Sequence, residues 1–274
     1  MLDSLSFGFI GGGNMAQALL GSLLSRGAQP GKVAVVEPYE TTRTLLRERY
    51  GVDTAAAPGD FLRECDVLIL AVKPQQFRSM AEQIAPWVGA QLLMSVAAGI
   101  RLQDMQRWFG GHGRIVRAMP NTPALIGAGM TGLAAAPGLA DADKRMTEAV
   151  ASAVGETVWV RDDAQIDVVT AISGSGPAYG FYLIEAMQEA AVALGLGKEQ
   201  GRKLAIATIA GAASLAAQSP DSPAELRRKV TSPSGTTAAA IGTLEEARVK
   251  AVFLKAIEAA AKRGAQMGEE FGKQ

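Results

Sequence analysis

The segment FIGGGNMA (9–16) constrains this chain most, because three consecutive glycines between an apolar run and a helical pattern admit few conformations. Read as G-x-G-x-x-A, it uses Gly11, Gly13 and Ala16. Gly11 allows a tight turn, Gly13 lets a phosphate approach the backbone without a Cβ in the way, and Ala16 lets the helix pack close to the strand. The free N–H groups and positive dipole end of that helix then face an anion. A glycine triplet alone can be merely structural. Here a strand precedes it, a helix follows, and a second strand ends in Glu37, placed to accept hydrogen bonds from adenine ribose hydroxyls. Together these features predict a nicotinamide-dinucleotide site. A carboxylate at Glu37 repels a 2′-phosphate, whereas Arg43 in the next helix offsets part of that repulsion. Both NADH and NADPH are therefore expected as cofactors, with NADH favoured.

Through about residue 160, short apolar runs alternate with helical patterns, which argues for βαβ units and a mostly parallel sheet. Strands are expected at 6–10, 32–37, 66–72, 91–97, 114–118, 130–135 and 157–160, and helices at 14–25, 41–50, 75–84, 101–108 and 141–154. From Asp163 onward only helices are expected, broken at 173–177, 195–197, 219–223 and 232–235. The fold class is an α/β Rossmann-type dinucleotide-binding domain (1–162) followed by an all-α C-terminal dimerisation domain (163–274). The stretch QGRKLAIATIAGAASLAAQ (200–218) leaves hardly any polar face after Lys203. A helix apolar nearly all round must be covered on several sides. A homodimer through the C-terminal helices is the expected source of that cover.

Composition excludes several classes. Lys plus Arg equals Asp plus Glu at 27 each, so no basic footprint for nucleic acid or an anionic membrane appears. Cys65 is the sole cysteine and His112 the sole histidine, which leaves no intramolecular disulfide and no expected metal site. Cys65 reads as a core-edge residue and His112 as a loop residue. The N-terminus lacks a signal-peptide pattern, and apolar windows break before the ~20 residues a membrane span needs. A cytoplasmic protein acting on a small molecule is expected. Ligands bind at the carboxyl ends of strands in open α/β sheets. That rule adds Val72, Lys73, Pro74 and Ala97 to Gly11, Gly12, Gly13, Asn14, Met15 and Glu37 as cofactor contacts.

Four motifs stand in order, FIGGGNMA (9–16), AVKPQ (71–75), RAMPNTPA (117–124) and SGSGPAY (173–179), and ELRRKVTSPSGTTAAAI (225–241) completes the set. With them the chain resembles the pyrroline-5-carboxylate reductases over nearly its whole length. The resemblance implies NAD(P)H-dependent reduction of a five-membered cyclic imine bearing a carboxylate, giving proline in the last step of its biosynthesis. A serine- and glycine-containing turn entering a helix offers N–H donors and a dipole to an anion, so Ser232, Gly235, Thr236 and Thr237 suit the carboxylate. The family places the hydroxyl matching Thr237 near the ring nitrogen, which makes Thr237 the catalytic residue. Ser175 lies in a loop expected beside the substrate. Asn121 is expected beside the nicotinamide, bonding its carboxamide through both donor and acceptor. Rings of dimers occur in the family.

A β-hydroxyacid dehydrogenase also starts with such a glycine turn. Its lysine on a long interdomain helix has no counterpart in GSGPAYGFYLIEAMQEA (174–190). A non-catalytic dinucleotide-binding regulator is the other alternative, but a regulator has no need of the SPSGTT turn.

Overall fold

The computed structural model describes residues 2–273. Eight strands, β1 (Phe7–Ile10), β2 (Val33–Val36), β3 (Asp53–Ala55), β4 (Val67–Leu70), β5 (Leu92–Ser95), β6 (Ile115–Met119), β7 (Gly129–Ala135) and β8 (Gly155–Trp159), form one sheet among the described residues. Their order is β3-β2-β1-β4-β5-β6-β7-β8, parallel throughout except between β6 and β7. The mostly parallel sheet matches the expectation. Edge strand β3 does not, since DTA is too short to carry an alternation. The order reverses at β1, so the carboxyl ends of β1 and β4 flank the crevice where such sheets bind ligands.

Both faces of the sheet are covered, which explains why FGFI and VLIL read as continuous apolar runs. Helix α1 (Asn14–Ser25) presents Leu19, Leu20 and Leu23 to Phe7 and Phe9 on one face. Burying each leucine contributes about 1.5–3 kcal/mol. Helix α2 (Glu40–Tyr50) ends at Gly51, in the left-handed conformation with its N–H on the Arg47 carbonyl at 2.9 Å. On the opposite face, α3 (Phe77–Ile84) and α4 (Leu102–Trp108) pack Phe77, Ile84 and Met105 against Leu68 and Leu70. Helix α5 (Asp141–Ala151) precedes β8, and α6 (Asp163–Val169) follows it.

The break expected at 173–177 is absent as such. The chain runs from α6 through a π-helical turn (Thr170–Gly174) into α7 (Gly176–Ala193). The Ser175 N–H reaches the Thr170 carbonyl at 2.8 Å, an i→i+5 bond that keeps the backbone helical. Pro177 then occupies the first turn of α7, where its missing N–H costs little.

Packing divides the described residues into two compact units, 2–175 with 260–273, and Gly176–Ala259. The second contains α7, α8 (Lys198–Gln218), α9 (Pro223–Lys229), α10 (Thr236–Glu246) and the first turns of α11 (Val249–Gly272). Helices α7 and α8 form a hairpin. A Cβ on Gly201 would lie 2.9 Å from Ala191 Cβ, so glycine sets this close approach. Only Gly201 and Ala205 of α8 are buried in the single chain, while Phe181, Tyr182, Leu215 and Leu254 stand exposed. Exposed apolar surface on this scale marks an association face.

Candidate active site

The phosphate turn follows from three glycines with three different duties. Gly11 has φ +98°, and a Cβ there would sit 2.7 Å from the Ala71 carbonyl oxygen. Its N–H bonds the Val36 carbonyl at 2.8 Å, which ties the turn to β2. Gly12 donates its N–H to Glu37 Oε2 at 2.9 Å. Gly13 stands immediately before α1, and no neighbouring atom lies within 4 Å of where its Cβ would be. No side chain caps this helix, so the amides of Asn14, Met15 and Ala16 have no partner within it. Ala16, 2 % exposed, packs beneath. This cradle fits a pyrophosphate, with open approach at Gly13 and aimed N–H donors around it.

Glu37 is buried at the end of β2, and its Oε1 accepts the Tyr39 N–H at 3.0 Å. Each carboxylate oxygen keeps a further lone pair for a hydroxyl donor. Arg43 donates to the Glu37 and Pro38 carbonyls at 2.6 and 2.7 Å and pairs with Glu40. Hydrogen bonds from Arg47 and then Arg43 pull the Glu40 carboxyl down to about 2. Arg43 is therefore committed to its own loop.

Val72, Lys73 and Pro74 leave the end of β4, with Lys73 exposed, and Ala97 leaves β5. Residues at the carboxyl ends of β1, β2, β4, β5 and β6 are thereby collected along one edge of the sheet. Asn121, just past β6, uses both side-chain hydrogens on Ser173, reaching its carbonyl and Oγ at 3.2 Å each. Its Oδ1 accepts the Met130 N–H at 2.9 Å. The donor expected to hold a carboxamide is thus used within the protein. Ser175 closes the π turn at the end of the first unit.

In the second unit, Ser232–Gly235 is a tight turn, with the Gly235 N–H on the Ser232 carbonyl at 3.1 Å. Ser234 takes a left-handed φ of +61°. Gly235 begins α10 without a side-chain cap, so the first-turn amides, including those of Thr236 and Thr237, have no helical partner. Ser232 and Thr236 are exposed and Thr237 half-buried. Hydroxyls and amide donors gathered at one helix start suit a small carboxylate.

Sequence reasoning missed Arg117. It is 2 % exposed within β6 and bonds Asp163 at 2.7 Å and Asp167 at 3.1 Å. The signal was an arginine inside the apolar run IVRAM, since a buried charge must find partners.

Residues 163–267 match the family described as pyrroline-5-carboxylate reductase dimerisation, and residues 6–99 match NADP oxidoreductase coenzyme F420-dependent. The chain is 40 % identical over 265 residues to a pyrroline-5-carboxylate reductase of Pseudomonas aeruginosa, covering 96 % of this chain and 97 % of the relative. It is 38 % identical to the enzyme of that name from Synechocystis, covering 97 % and 100 %. The structure of a pyrroline-5-carboxylate reductase from Coxiella burnetii superposes with a TM-score of 0.91 at 38 % identity, covering 96 % of this chain and 98 % of that one. The Plasmodium falciparum pyrroline carboxylate reductase with NADP bound gives 0.86 at 28 % identity, covering 97 % and 99 %.

Proposed function

The chain belongs to the pyrroline-5-carboxylate reductase family, and from that premise we propose how its own residues carry out the reduction. It is an NAD(P)H-dependent oxidoreductase that converts the C=N bond of 1-pyrroline-5-carboxylate to L-proline, the last step of proline biosynthesis. When bound, the reduced nicotinamide supplies a hydride to the imine carbon. Residues 1–162 serve the cofactor. The amides of Gly13, Asn14 and Met15 receive its pyrophosphate, Glu37 its adenine ribose, and Val72, Lys73, Pro74 and Ala97 its nicotinamide half. Residues 163–274 serve substrate and dimerisation. The Ser232–Thr236 turn receives the carboxylate, Thr237 directs its hydroxyl at the ring nitrogen, and Ser175 stands on the substrate side of the first unit.

The hydroxyl orients the nitrogen and assists its proton balance as the C=N bond becomes C–N. A hydrogen-bonded or protonated imine is already a good electrophile, so positioning supplies much of the rate. The observation that carries this reading is the uncapped start of α10, whose first-turn amides stand free in the turn that carries Ser232 and Thr237. The test follows loss of reduced-nicotinamide absorbance with 1-pyrroline-5-carboxylate, with a β-hydroxyacid and NAD⁺ in parallel. Turnover of the imine alone supports the assignment. Tight NADH binding without imine turnover favours a regulator instead.

The dimerisation match makes the chain a homo-oligomer. We assign the contact to the exposed apolar faces of α7, α8, α10 and α11, as a homodimer, with a ring of dimers as the higher assembly to look for. A monomer by light scattering at micromolar concentration would contradict this. No described helix is long and apolar enough to cross a membrane. The cytoplasm is the proposed compartment.

A further inference from the structure

The π turn at Thr170–Gly174 is held from outside as well as by its own i→i+5 bond. In an α-helix the partner of the Ser173 carbonyl would be the N–H of Pro177, which proline does not have. A buried or half-buried carbonyl needs a donor, and Asn121 Nδ2 provides one at 3.2 Å while also reaching Ser173 Oγ. Next along the chain, Met119 Cε at the end of β6 lies 2.7 Å from where a Cβ on Gly174 would stand, so the methionine tip packs directly over the turn. The other end of the segment is fixed as well. Arg117, on the same strand, holds Asp163 and Asp167 of α6. A single strand and its exit loop thus anchor both ends of the α6–π segment, and Asn121 also secures its own loop to β7 through the Met130 N–H.

We propose that Asn121 is a positioning residue for the substrate. Its amide locks the Ser173–Ser175 turn to the loop leaving β6, and it acts on the imine through that turn instead of gripping the nicotinamide carboxamide. This rests on the reading of Ser175 as substrate-side. π-helical turns recur at functional sites because the extra residue re-aims the side chains that follow. Here the side chains re-aimed are those of Ser173 and Ser175, and the Asn121 amide selects their direction. Without it the turn can relax toward the ordinary helical register, which displaces Ser175.

The test compares the full-length enzyme with Asn121→Ala, Asn121→Asp, Ser173→Ala and the Asn121→Ala/Ser173→Ala pair. The aspartate keeps an acceptor for Met130, loses the donors and adds a negative charge beside the Ser173 carbonyl, so it serves if the alanine folds poorly. NADH affinity is measured by fluorescence titration without imine, and kcat and imine KM at saturating NADH. Loss of the donors is expected to raise imine KM and lower kcat, together roughly 10–100-fold in kcat/KM, the scale of a small misplacement. NADH Kd and binding stoichiometry stay within about twofold, since only non-contacting groups change. The double variant is expected to be no worse than Asn121→Ala alone, because both remove one interaction. A merely structural role lowers the active fraction and leaves imine KM in place. A tenfold weaker NADH Kd with unchanged imine KM, or unchanged imine kinetics in Asn121→Asp, overturns the proposal. Failure of the unaltered enzyme to reduce the imine counts against the functional reading itself.

Discussion

Glu37 Oε2 accepts the Gly12 N–H at 2.9 Å, so the carboxylate proposed to read the adenine ribose also holds the glycine turn in shape. On that proposal, cofactor choice and turn geometry are coupled through one side chain. Arg43, the residue that could answer a 2′-phosphate, is bound to the Glu37 and Pro38 carbonyls and to Glu40.

The unaltered enzyme is accordingly expected to show a higher kcat/KM with NADH than with NADPH. Glu37→Ser should move the ratio toward NADPH by about tenfold, the effect of removing roughly 1.4 kcal/mol of charge repulsion. It should also lower the melting temperature, because a buried N–H left without its partner costs about 1–3 kcal/mol. Steady-state kinetics with both cofactors and a thermal melt decide the point. An unchanged cofactor ratio removes Glu37 from specificity.

Thr237 offers a cleaner separation of binding from chemistry. Thr237→Ala removes a hydroxyl from the α10 start and leaves the backbone amides in place. Loss of one hydrogen bond to a charged or polarised group is worth about 1.5–3 kcal/mol, so kcat/KM for the imine should fall roughly 10–150-fold. NADH affinity should not change. Thr237→Ser keeps the hydroxyl and should recover most of the activity. Equal kcat/KM in Thr237→Ala and the unaltered enzyme rules out the catalytic role.

The legible parts of this molecule are those whose cause is local. Gly11–Gly13 announced the cradle because the chain needs a positive φ at Gly11, while the open space at Gly13 leaves the backbone bare to an incoming group. Strands β1 and β4 announced themselves by burial on both faces. The π turn was not legible, since Ser-Gly-Ser-Gly-Pro carries the composition of a break, while the contacts on Ser173 come from Asn121, distant in sequence. Asn121 likewise has one obvious local use in a turn, while its amide donates to a residue 52 positions away. The same distance hid the partners of Arg117. Its burial was implied by IVRAM, but nothing nearby identifies Asp163 and Asp167 as the acids that neutralise it.

Cys65 should behave as an inert thiol. Burial first, then the neighbouring Asp66 and Glu64 carboxylates, push it up to about 11 from an ordinary 9.0. At pH 8 only about 0.1 % is thiolate, against about 10 % for an unperturbed group, so labelling by a disulfide reagent should be roughly a hundredfold slower. Because the folded value is raised, the neutral thiol's contribution to stability is complete below pH 9 and is lost as pH rises through 11. Native-state labelling rates between pH 7 and 10 should climb about tenfold per unit without a plateau. Rapid stoichiometric labelling at pH 8 would contradict this environment.

Arg117 makes the most demanding prediction about stability, because its guanidinium is buried and answered by two carboxylates. Asp163 has a second duty, accepting the Leu102 N–H at 3.0 Å at the start of α4, so Asp167 is the better probe of the pair alone. Asp167→Ala leaves a buried cation with one partner and should cost about 3–5 kcal/mol. Asp167→Asn keeps a hydrogen-bond acceptor without the charge and should cost less. Arg117→Lys should not substitute for arginine, since a single ammonium cannot present two separate N–H donors in a fixed plane to Asp163 and Asp167. Replacing Arg117 and Asp167 together by Met and Leu removes the charge and its need for a partner, and should recover part of the loss seen in Asp167→Ala. Denaturant unfolding of the four variants tests the ordering. If Asp167→Ala is as stable as the unaltered chain, the Arg117–Asp167 arm of the clamp contributes nothing, and Asp163 and packing suffice to hold α6.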